Sequence, residues 1–345
     1  MVVADKKTFA SEFYSRQVIL NELGVKGQQK LAKSKIAVVG IGGLGTVSSL
    51  YLALAGVGHL RLIDQDVVET ANLHRQILYS LDDLHYPKAE VAAKRLEKLN
   101  PLLTTEPVPD NVNAANVETI LAGVDLVVDG LDNMSTRYLI NRTCVKMNVP
   151  YVFGAAIGIE GNLSVFAPPE TACLECLLPN MSDNDLMKCD TRGVIGATPG
   201  IIGAMQAMEA IKVLVGIGSP LKGKLMVCDF NDMYFTTVDT SKATNCPACK
   251  GKSSAVLREK LVWLCGQNTA NINPEKPLKL NLEEASETIR QLFKVRLKSH
   301  LAIIFDYGNL EVSLFNGGRM LIKNVPNEAV ALKAYKKILK RIGIT

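Results

Sequence analysis

The sequence lacks an apolar run long enough to cross a membrane, and its first residues, Met1 to Phe9, do not form a secretion signal. Histidine is also scarce, and neither His74 nor His85 stands at a metal-ligand spacing. The net charge of +5 is modest for 345 residues. We therefore expect a cytoplasmic protein, with neither a nucleic acid nor a membrane as its partner.

A glycine-rich stretch, Gly40-Ile41-Gly42-Gly43-Leu44-Gly45, is the part of the sequence around which the rest is arranged. The apolar residues 36–39 before it predict a buried parallel strand, and residues 46–56 after it predict a packed helix. Glycines at this spacing let backbone amides approach a phosphate with no side chain between them. The stretch therefore predicts a nucleotide site, which a dehydrogenase would share.

The residues that follow extend this site. Asp64 ends the next predicted strand, 59–64, and lies 19 residues after Gly45, where a ribose-binding carboxylate is expected. A polar loop then runs from Asp66 to Gln76, at the carboxyl end of a parallel strand, where open α/β sheets bind ligands. Arg75 in this loop can grip phosphate oxygens through its planar guanidinium, although a plain surface arginine is the competing interpretation.

Two more residues are predicted to face the charged end of a nucleotide. Pro87 suits the first turn of a helix over residues 88–99, which places the ammonium of Lys88 at the positive helix end. A buried strand over residues 125–130 brings Asp132 to the same sheet edge, where a carboxylate can hold magnesium. The alternative role for Asp132 is to cap a helix over residues 134–148.

Two Cys-x-x-Cys pairs, Cys173/Cys176 and Cys246/Cys249, supply four thiolates in a chain whose cysteines are not expected to form disulfides. Four thiolates make a closed tetrahedral zinc site, which is structural because no position remains for water. Since 69 residues separate the pairs, the zinc would tie two distant pieces of one domain together. Redox activity and a coincidental spacing are the remaining alternatives.

A polar connection between Pro179 and Pro199 contains Cys189, flanked by Lys188 and Arg192. The two neighbouring charges favour a thiolate, so Cys189 is a candidate nucleophile. An incidental surface cysteine is the competing interpretation.

Residues 256–345 form a separable module after a linker at 250–254. Apolar runs and helical periodicity predict the order β-α-β-β-β-α, with helices over residues 282–293 and 327–341. The module carries 15 Lys and Arg against 8 Asp and Glu. This excess is either a solvated helix face or a surface for an acidic partner protein.

Residues 11–251 resemble the adenylyltransferases that activate ubiquitin-like proteins and sulfur carriers, namely the molybdopterin-synthase and thiamine-pathway adenylyltransferases and the ubiquitin-activating enzymes. The resemblance rests on motifs in the same order: Ser15-Arg16-Gln17, residues 40–45, Asp64-Gln65-Asp66, Asn72-Leu73-His74-Arg75-Gln76, Pro87-Lys88, Asp132-Asn133 and the two cysteine pairs. The expected fold is α/β, a Rossmann-like mostly parallel sheet with helices on both faces and a four-cysteine zinc site, plus a small C-terminal α+β module.

The resemblance implies ATP and Mg²⁺ rather than NAD. The residues expected to bind ATP are Gly40, Gly42, Gly43, Gly45, Asp64, Asp66, Asn72, Arg75, Gln76, Lys88, Asp132 and Asn133. Those expected to act in catalysis are Arg16, Arg75, Lys88, Asp132 and Cys189. In the family an N-terminal arginine, here Arg16, reaches the partner subunit's phosphates, so a homodimer is implied. Cys189 falls where relatives place the cysteine that accepts the activated acyl group.

The expected function is ATP-dependent adenylation of the C-terminal glycine carboxylate of a ubiquitin-like or sulfur-carrier protein, with thioester or persulfide transfer through Cys189 as an optional second step. A non-catalytic scaffold subunit of the same fold is one alternative, and adenylation of a small acid or peptide is another. The module at 256–345 departs from many sulfur-transfer relatives. A ubiquitin-like fold that recruits a conjugating enzyme is one prediction for it.

Overall fold

The computed structural model describes residues 5–183, 193–251, 261–264, 268–274 and 278–343. Two β-sheets organise this part of the chain, an eight-stranded sheet and a six-stranded sheet. Among the described residues, no helix combines the length and apolar character that crossing a membrane requires.

The eight-stranded sheet has the order β3-β2-β1-β4-β5-β6-β7-β8. Its strands are β1 (Lys35–Val39), β2 (His59–Ile63), β3 (Thr104–Val108), β4 (Leu126–Asp129), β5 (Tyr151–Ile157), β6 (Glu160–Phe166), β7 (Lys224–Asp229) and β8 (Tyr234–Asp239). The first five strands in this order, β3-β2-β1-β4-β5, pair in parallel. From β5 to β8 neighbouring strands pair antiparallel. This confirms the mostly parallel, Rossmann-like sheet expected from the sequence.

Helices cover both faces of this sheet. They are α1 (Lys6–Phe13), α2 (Ser15–Val18), α3 (Gly24–Lys33), α4 (Gly43–Ala55), α5 (Lys88–Leu99), α6 (Val117–Ile120), α7 (Met134–Met147), α8 (Leu174–Leu177) and α9 (Ala197–Val215). Alternate residues of β1 separate the two cores: Ile36 and Val38 pack with α3, α4, α5 and α9, and Ala37 and Val39 pack with α6 and α7. The predicted helix over 88–99 is confirmed at both ends.

Helix α9 is rich in apolar residues, but it is not buried on every side. Ile201 and Met208 on this helix are 41% and 57% exposed, and they lie on one face because seven residues separate them. Tyr51 on the adjoining helix α4 is also about half exposed, at 51%. The apolar composition of α9 therefore serves both the core and an uncovered surface.

The six-stranded sheet belongs to the C-terminal module and is antiparallel throughout, in the order β11-β12-β13-β14-β10-β9. Its elements are β9 (Leu261–Leu264), β10 (Thr269–Ile272), α10 (Leu282–Leu292), β11 (Lys294–Lys298), β12 (Ala302–Tyr307), β13 (Leu310–Phe315), β14 (Met320–Lys323) and α11 (Glu328–Arg341). The division at residues 251 and 256 and the ubiquitin-like fold stay predictions.

The module has more strands than the sequence pattern predicted. The structure has two strands before α10 and four between α10 and α11, whereas the expectation was one and three. Strand β10 was not predicted because Thr269 and Asn271 interrupt its apolar residues. Strand β11 was not predicted because every second residue is charged, namely Lys294, Arg296 and Lys298.

The module's sheet lies between its own helices and the larger sheet's loops. One face, with Ile303, Phe305 and Val312, packs on α10 and α11. The other face, with Ala302, Ile304, Phe315 and Leu321, packs on Val67, which follows strand β2. The module is thereby placed against the loop that the sequence assigns to nucleotide binding.

Candidate active site

The glycine-rich stretch forms the turn between β1 and α4, at the carboxyl edge of the parallel strands. Gly40 has a φ of +86°, and a Cβ there would stand 2.6 Å from the carbonyl oxygen of Gly130. A Cβ on Gly45 would overlap the carbonyl oxygen of Gly40. These two glycines are required for the turn itself.

Gly42 differs from these two glycines because it has room around it. The nearest atom to a Cβ at this position would be Nε2 of Gln76, at 3.8 Å. Gly42 thus leaves open space at the start of α4, where unpaired backbone amides favour an anion. The phenol of Tyr79, which the sequence reasoning missed, fixes the turn by donating to the carbonyl of Ile41 at 2.8 Å.

Asp64 lies directly against this turn. Its carboxylate accepts hydrogen bonds from the amides of Ile41 at 2.7 Å and of Asp66 at 2.8 Å. Burial raises the pKa of Asp64 to about 6, and the nearby charge of Lys88 opposes that rise. A carboxylate held by two amides at the end of β2 is oriented to accept from the hydroxyls of a sugar.

Lys88 is the buried cation of the site. Its ammonium lies 3.1 Å from a carboxylate oxygen of Asp66, and its side chain is only 6% exposed. Burial lowers the pKa of Lys88, but attraction to Asp66 and Asp64 outweighs that effect and leaves the pKa above its ordinary value. Asp132 acts in the same direction, so the ammonium is also within electrostatic reach of that carboxylate.

The loop after β2 brings three predicted residues beside the glycine turn. The side-chain amide of Gln76 donates to Oδ1 of Asn72 at 2.7 Å, and both residues are buried. Arg75 donates to the carbonyl of Ala71 at 3.0 Å and lies 2.8 Å from Nε2 of His74. Neither of these partners is acidic. Among the described residues no carboxylate therefore pairs with the Arg75 guanidinium, which is available to bind an anion.

The loop after β4 carries Asp132, which is exposed. The cap of α7 is Asn133 rather than Asp132, because Oδ1 of Asn133 accepts from the amide of Thr136 at 2.9 Å. This overturns the capping alternative for Asp132 and gives Asn133, predicted to bind ATP, a structural role as well. The carboxylate of Asp132 is left facing solvent, where a hard cation would find an oxygen ligand.

A buried ion pair that the sequence reasoning missed supports this loop. Nε of Arg137 lies 3.0 Å from Oδ2 of Asp129, and neither side chain is more than 6% exposed. The same guanidinium donates to the carbonyls of Leu131 and Gly154. Arg137 therefore fixes the backbone next to Asp132, but one arginine inside a predicted helix gave no signal of this role.

The four predicted zinc ligands come together. Their sulfur atoms all lie within 4.8 Å of one another, and both Cys173–Cys246 and Cys176–Cys249 are separated by 3.6 Å. Four sulfurs around a tetrahedral Zn²⁺ with bonds of about 2.3 Å stand about 3.8 Å apart, so the cluster fits zinc. Nδ2 of Asn141 lies 3.6 Å from the sulfur of Cys173, which supplies an outer contact.

One predicted catalytic residue, Arg16, is not brought to this site within its own chain, and a second lies outside the described residues. Arg16 is exposed on α2, and the neighbouring Gln17 donates to the carbonyl of Leu54 at the far end of α4 from the glycine turn. The length of α4, about 18 Å, exceeds the reach of an arginine side chain. Cys189 lies outside the described residues, as do Lys188 and Arg192.

The chain is similar to known proteins in both sequence and structure. A profile of the ThiF family matches residues 14–248. The chain is 43% identical over 237 residues to the SAMP-activating enzyme E1 of Haloferax volcanii, a match that covers 68% of this chain and 87% of that protein. It is 40% identical over 242 residues to the sulfur carrier protein ThiS adenylyltransferase of Escherichia coli, covering 70% of this chain and 96% of that protein.

A solved structure is also similar, the crystal structure of E. coli MccB with ATP. It superposes with a TM-score of 0.60 at 26% identity, and the match covers 65% of this chain and 68% of that chain. The family profile ends before the module at 256–345 begins.

Proposed function

This chain belongs to the ThiF family, and from that membership we propose that it uses ATP to adenylate the C-terminal carboxylate of a small ubiquitin-like or sulfur-carrier protein. The observation that carries the proposal is the meeting of the open Gly42 turn, buried Asp64 and the Asp66–Lys88 ion pair at one sheet edge. The relative named as a sulfur carrier protein ThiS adenylyltransferase supports the same conclusion, and so does the relative named as a SAMP-activating enzyme.

The residues of this site suit the reaction without a general base. The carrier's C-terminal carboxylate attacks the α-phosphorus of ATP, and the bond to pyrophosphate breaks, which leaves an acyl adenylate. Such a reaction needs in-line placement and neutralised charge. In this proposal Asp64 binds the ribose, Asn72 and Gln76 lie along the phosphates, and Arg75 and Lys88 neutralise them.

Two metals belong to the proposal. Asp132 would hold Mg²⁺ together with phosphate oxygens, and the ion would supply further positive charge at the triphosphate. The cluster of Cys173, Cys176, Cys246 and Cys249 would hold Zn²⁺ in a structural role. Thiolates that ligate zinc need a reducing compartment, which supports a cytoplasmic location.

A homodimer with two sites is also part of the proposal. Arg16 is too far from the site of its own chain, as the length of α4 implies. The exposed apolar residues Ile201, Met208 and Tyr51 provide a surface that a second copy can cover. In such a dimer Arg16 would neutralise phosphates bound by the partner subunit.

After adenylation, the family resemblance assigns Cys189 the role of accepting the acyl group or of relaying a persulfide. The module at 256–345 would recruit a conjugating enzyme. A non-catalytic scaffold is disfavoured because Arg16, Arg75, Lys88 and Asp132 are all present in the chain. Adenylation of a small acid or peptide stays as the second candidate, since it would use the same nucleotide site.

The test is exchange of labelled pyrophosphate into ATP, with and without small proteins that end in Gly-Gly. Exchange should require the carrier protein. Lys88→Met should lower the exchange rate by about 10²- to 10³-fold, the loss typical of one charged donor. The matched control is Lys98→Met, an exposed lysine of the same helix, which should retain wild-type exchange.

Three results would count against parts of this proposal. Exchange without any protein substrate would favour the small acid or peptide. No exchange with any Gly-Gly carrier from the same organism would contradict adenylation of such carriers. A reducible adduct that survives Cys189→Ala would remove the relay through that cysteine.

A further inference from the structure

The C-terminal module forms hydrogen bonds with Gln65, the residue between the two acids of the nucleotide site. Gln65 separates Asp64 from Asp66, and its side-chain oxygen accepts from Nδ2 of Asn271 at 2.9 Å. Its backbone carbonyl accepts from Nη2 of Arg319 at 2.8 Å. Nη1 of Arg319 in turn donates to Oδ1 of Asn271 at 3.1 Å. These three residues close a ring of hydrogen bonds between the module and the end of β2.

Arg319 is built into this position. Its guanidinium also donates to the carbonyl of Pro109 at 2.9 Å, beyond the end of β3, and it stacks 3.6 Å over the ring of Phe315. The residue is 2% exposed, and Nε lies 3.7 Å from a carboxylate oxygen of Asp110. Arg319 thus ties the ends of two parallel strands to the module.

The charge of Arg319 also lies close to the site. Burial lowers the pKa of Arg319 to about 10, and the charges of Asp110, Asp66 and Asp64 oppose that fall. The guanidinium therefore stays protonated at neutral pH, with the two site acids inside its field. Burying a cation is unfavourable for folding when its hydrogen-bond acceptors are mostly backbone carbonyls. A role in positioning the nucleotide site explains why Arg319 is buried here.

Other contacts hold the module against the same loop. Lys323 forms an ion pair with Glu69, and the amide of His300 lies 3.4 Å from a carboxylate oxygen of Glu90 on α5. Val67 is buried against the module's sheet. The segment from Asp64 to Glu69 is consequently bounded by the glycine turn on one side and by the module on the other.

We propose that Arg319 is a positioning residue for the ribose end of the nucleotide site, acting through Gln65 on Asp64 and Asp66. Its bond to the Gln65 carbonyl fixes the backbone that aims the Asp64 carboxylate at the sugar hydroxyls. The inference rests on the proposed function, since it takes ATP as the ligand. It assigns the C-terminal module a part in ATP recognition.

The experiment measures the affinity of the full-length protein for ATP and for 2′-deoxyATP by calorimetry. A ribose-binding Asp64 predicts that wild type prefers ATP. Arg319→Met should weaken ATP binding by about tenfold and 2′-deoxyATP binding much less, so that the preference falls towards unity. The matched control is Arg290→Met, an exposed arginine of the same module, which should keep both affinities.

A purely structural role for Arg319 predicts a different result. Lower stability with an unchanged preference between the two nucleotides, or an equal loss for both, would overturn the inference. If Arg319→Met does not fold, Gln65→Ala and Asn271→Ala break the side-chain part of the ring and should lower the preference by a smaller factor. Wild-type preference in both of these variants would also overturn it.

The proposed function fails in a recognisably different way. Wild-type protein that binds neither nucleotide contradicts ATP use itself, whereas wild type that binds both equally removes the ribose role of Asp64. Either result overturns the inference before any variant is measured.

Discussion

At the scale of single residues, the site depends on buried charges that support each other. Asp64 is nine-tenths buried, and its carboxylate accepts hydrogen bonds from two amides. The positive charge of Lys88, which forms an ion pair with Asp66, also stabilises it. Burying a carboxylate is unfavourable unless hydrogen bonds and opposite charge offset the lost hydration. This balance leaves Asp64 with a pKa of about 6.

The pKa of Asp64 predicts how stability depends on pH. Because burial raises it to about 6 from 3.8, the folded protein holds this proton more tightly than the unfolded chain does. The stabilising contribution is therefore complete below about pH 4 and is lost as the pH rises through about 6. Asp64→Asn removes the titration, so the free energy of unfolding of the variant should gain roughly 2 kcal/mol on wild type between pH 4 and pH 7.

Denaturant unfolding of both proteins at each pH measures this difference. The cost of losing an acceptor for the Ile41 or Asp66 amide does not depend on pH, so it cancels in the comparison. A difference between the proteins that stays constant from pH 4 to pH 7 would contradict the raised pKa.

At the scale of elements, the glycine turn separates two requirements that the sequence motif combines. Gly40 and Gly45 are needed by the fold, because their α-hydrogens face backbone carbonyls at close range. Gly42 is not required by any tight contact, and its open surroundings suit a ligand. The G-x-G-x-x-G spacing therefore reflects both packing and binding.

Alanine substitutions should separate these two roles. Gly45→Ala should lower the free energy of unfolding by about 2 kcal/mol or more, because its Cβ meets the Gly40 carbonyl. Gly42→Ala should unfold near the wild-type temperature but bind ATP weakly, because its Cβ occupies the phosphate's approach. Thermal unfolding and nucleotide titration test both variants. Normal ATP affinity in Gly42→Ala would contradict the placement of the phosphates.

The cysteine cluster joins two segments of one domain, the turn at α8 and the segment after β8. Purified protein should contain about one zinc per chain. Cys176→Ser should lose the metal and lower the unfolding temperature, since metal binding contributes to folding stability. Cys144→Ala, at a buried cysteine outside the cluster, should keep its zinc. Metal analysis and thermal unfolding check this, and a zinc-free protein of unchanged stability would refute it.

At the scale of the whole molecule, the proposed site draws on residues from separate parts of the structure. The module contributes Arg319 and Asn271 to the loop after β2, while Arg16 lies at the opposite end of α4 from the site. A complete site in our proposal therefore needs the module from its own chain and Arg16 from a second chain. Loss of either contribution should therefore impair the site.

Mixing two inactive variants tests the dimer directly. Arg16→Met and Lys88→Met should each lower exchange by about 10²-fold or more when tested alone. If Arg16 acts across the dimer, refolding them together at equal amounts should restore about a quarter of wild-type exchange, because half of the dimers then hold one intact site. Arg16 acting within its own chain would give no recovery, and sedimentation that finds only monomer would contradict the dimer.

The sequence by itself determined the mostly parallel sheet, the glycine turn at its edge and the four-cysteine cluster. Hydrophobic patterns, the proline before a helix and the spacing of cysteines predicted β1, the helix at 88–99 and the four-cysteine cluster. These features depend on local spacing and residue chemistry. Such features are set by residues close together in the sequence, so packing against distant segments does not alter them. Asp64 and Lys88 were predicted on the same grounds, and the structure places both beside the glycine turn or the Asp66 carboxylate.

Only the tertiary structure decided which distant residues support these. Tyr79, Arg137 and Arg319 act by donating to backbone carbonyls of other segments, and a backbone carbonyl carries no sequence signature. The missed strands β10 and β11 have the same origin, since their polar residues find partners or solvent only once the sheet exists. Long-range contacts depend on how elements pack, which the order of residues along the chain does not display.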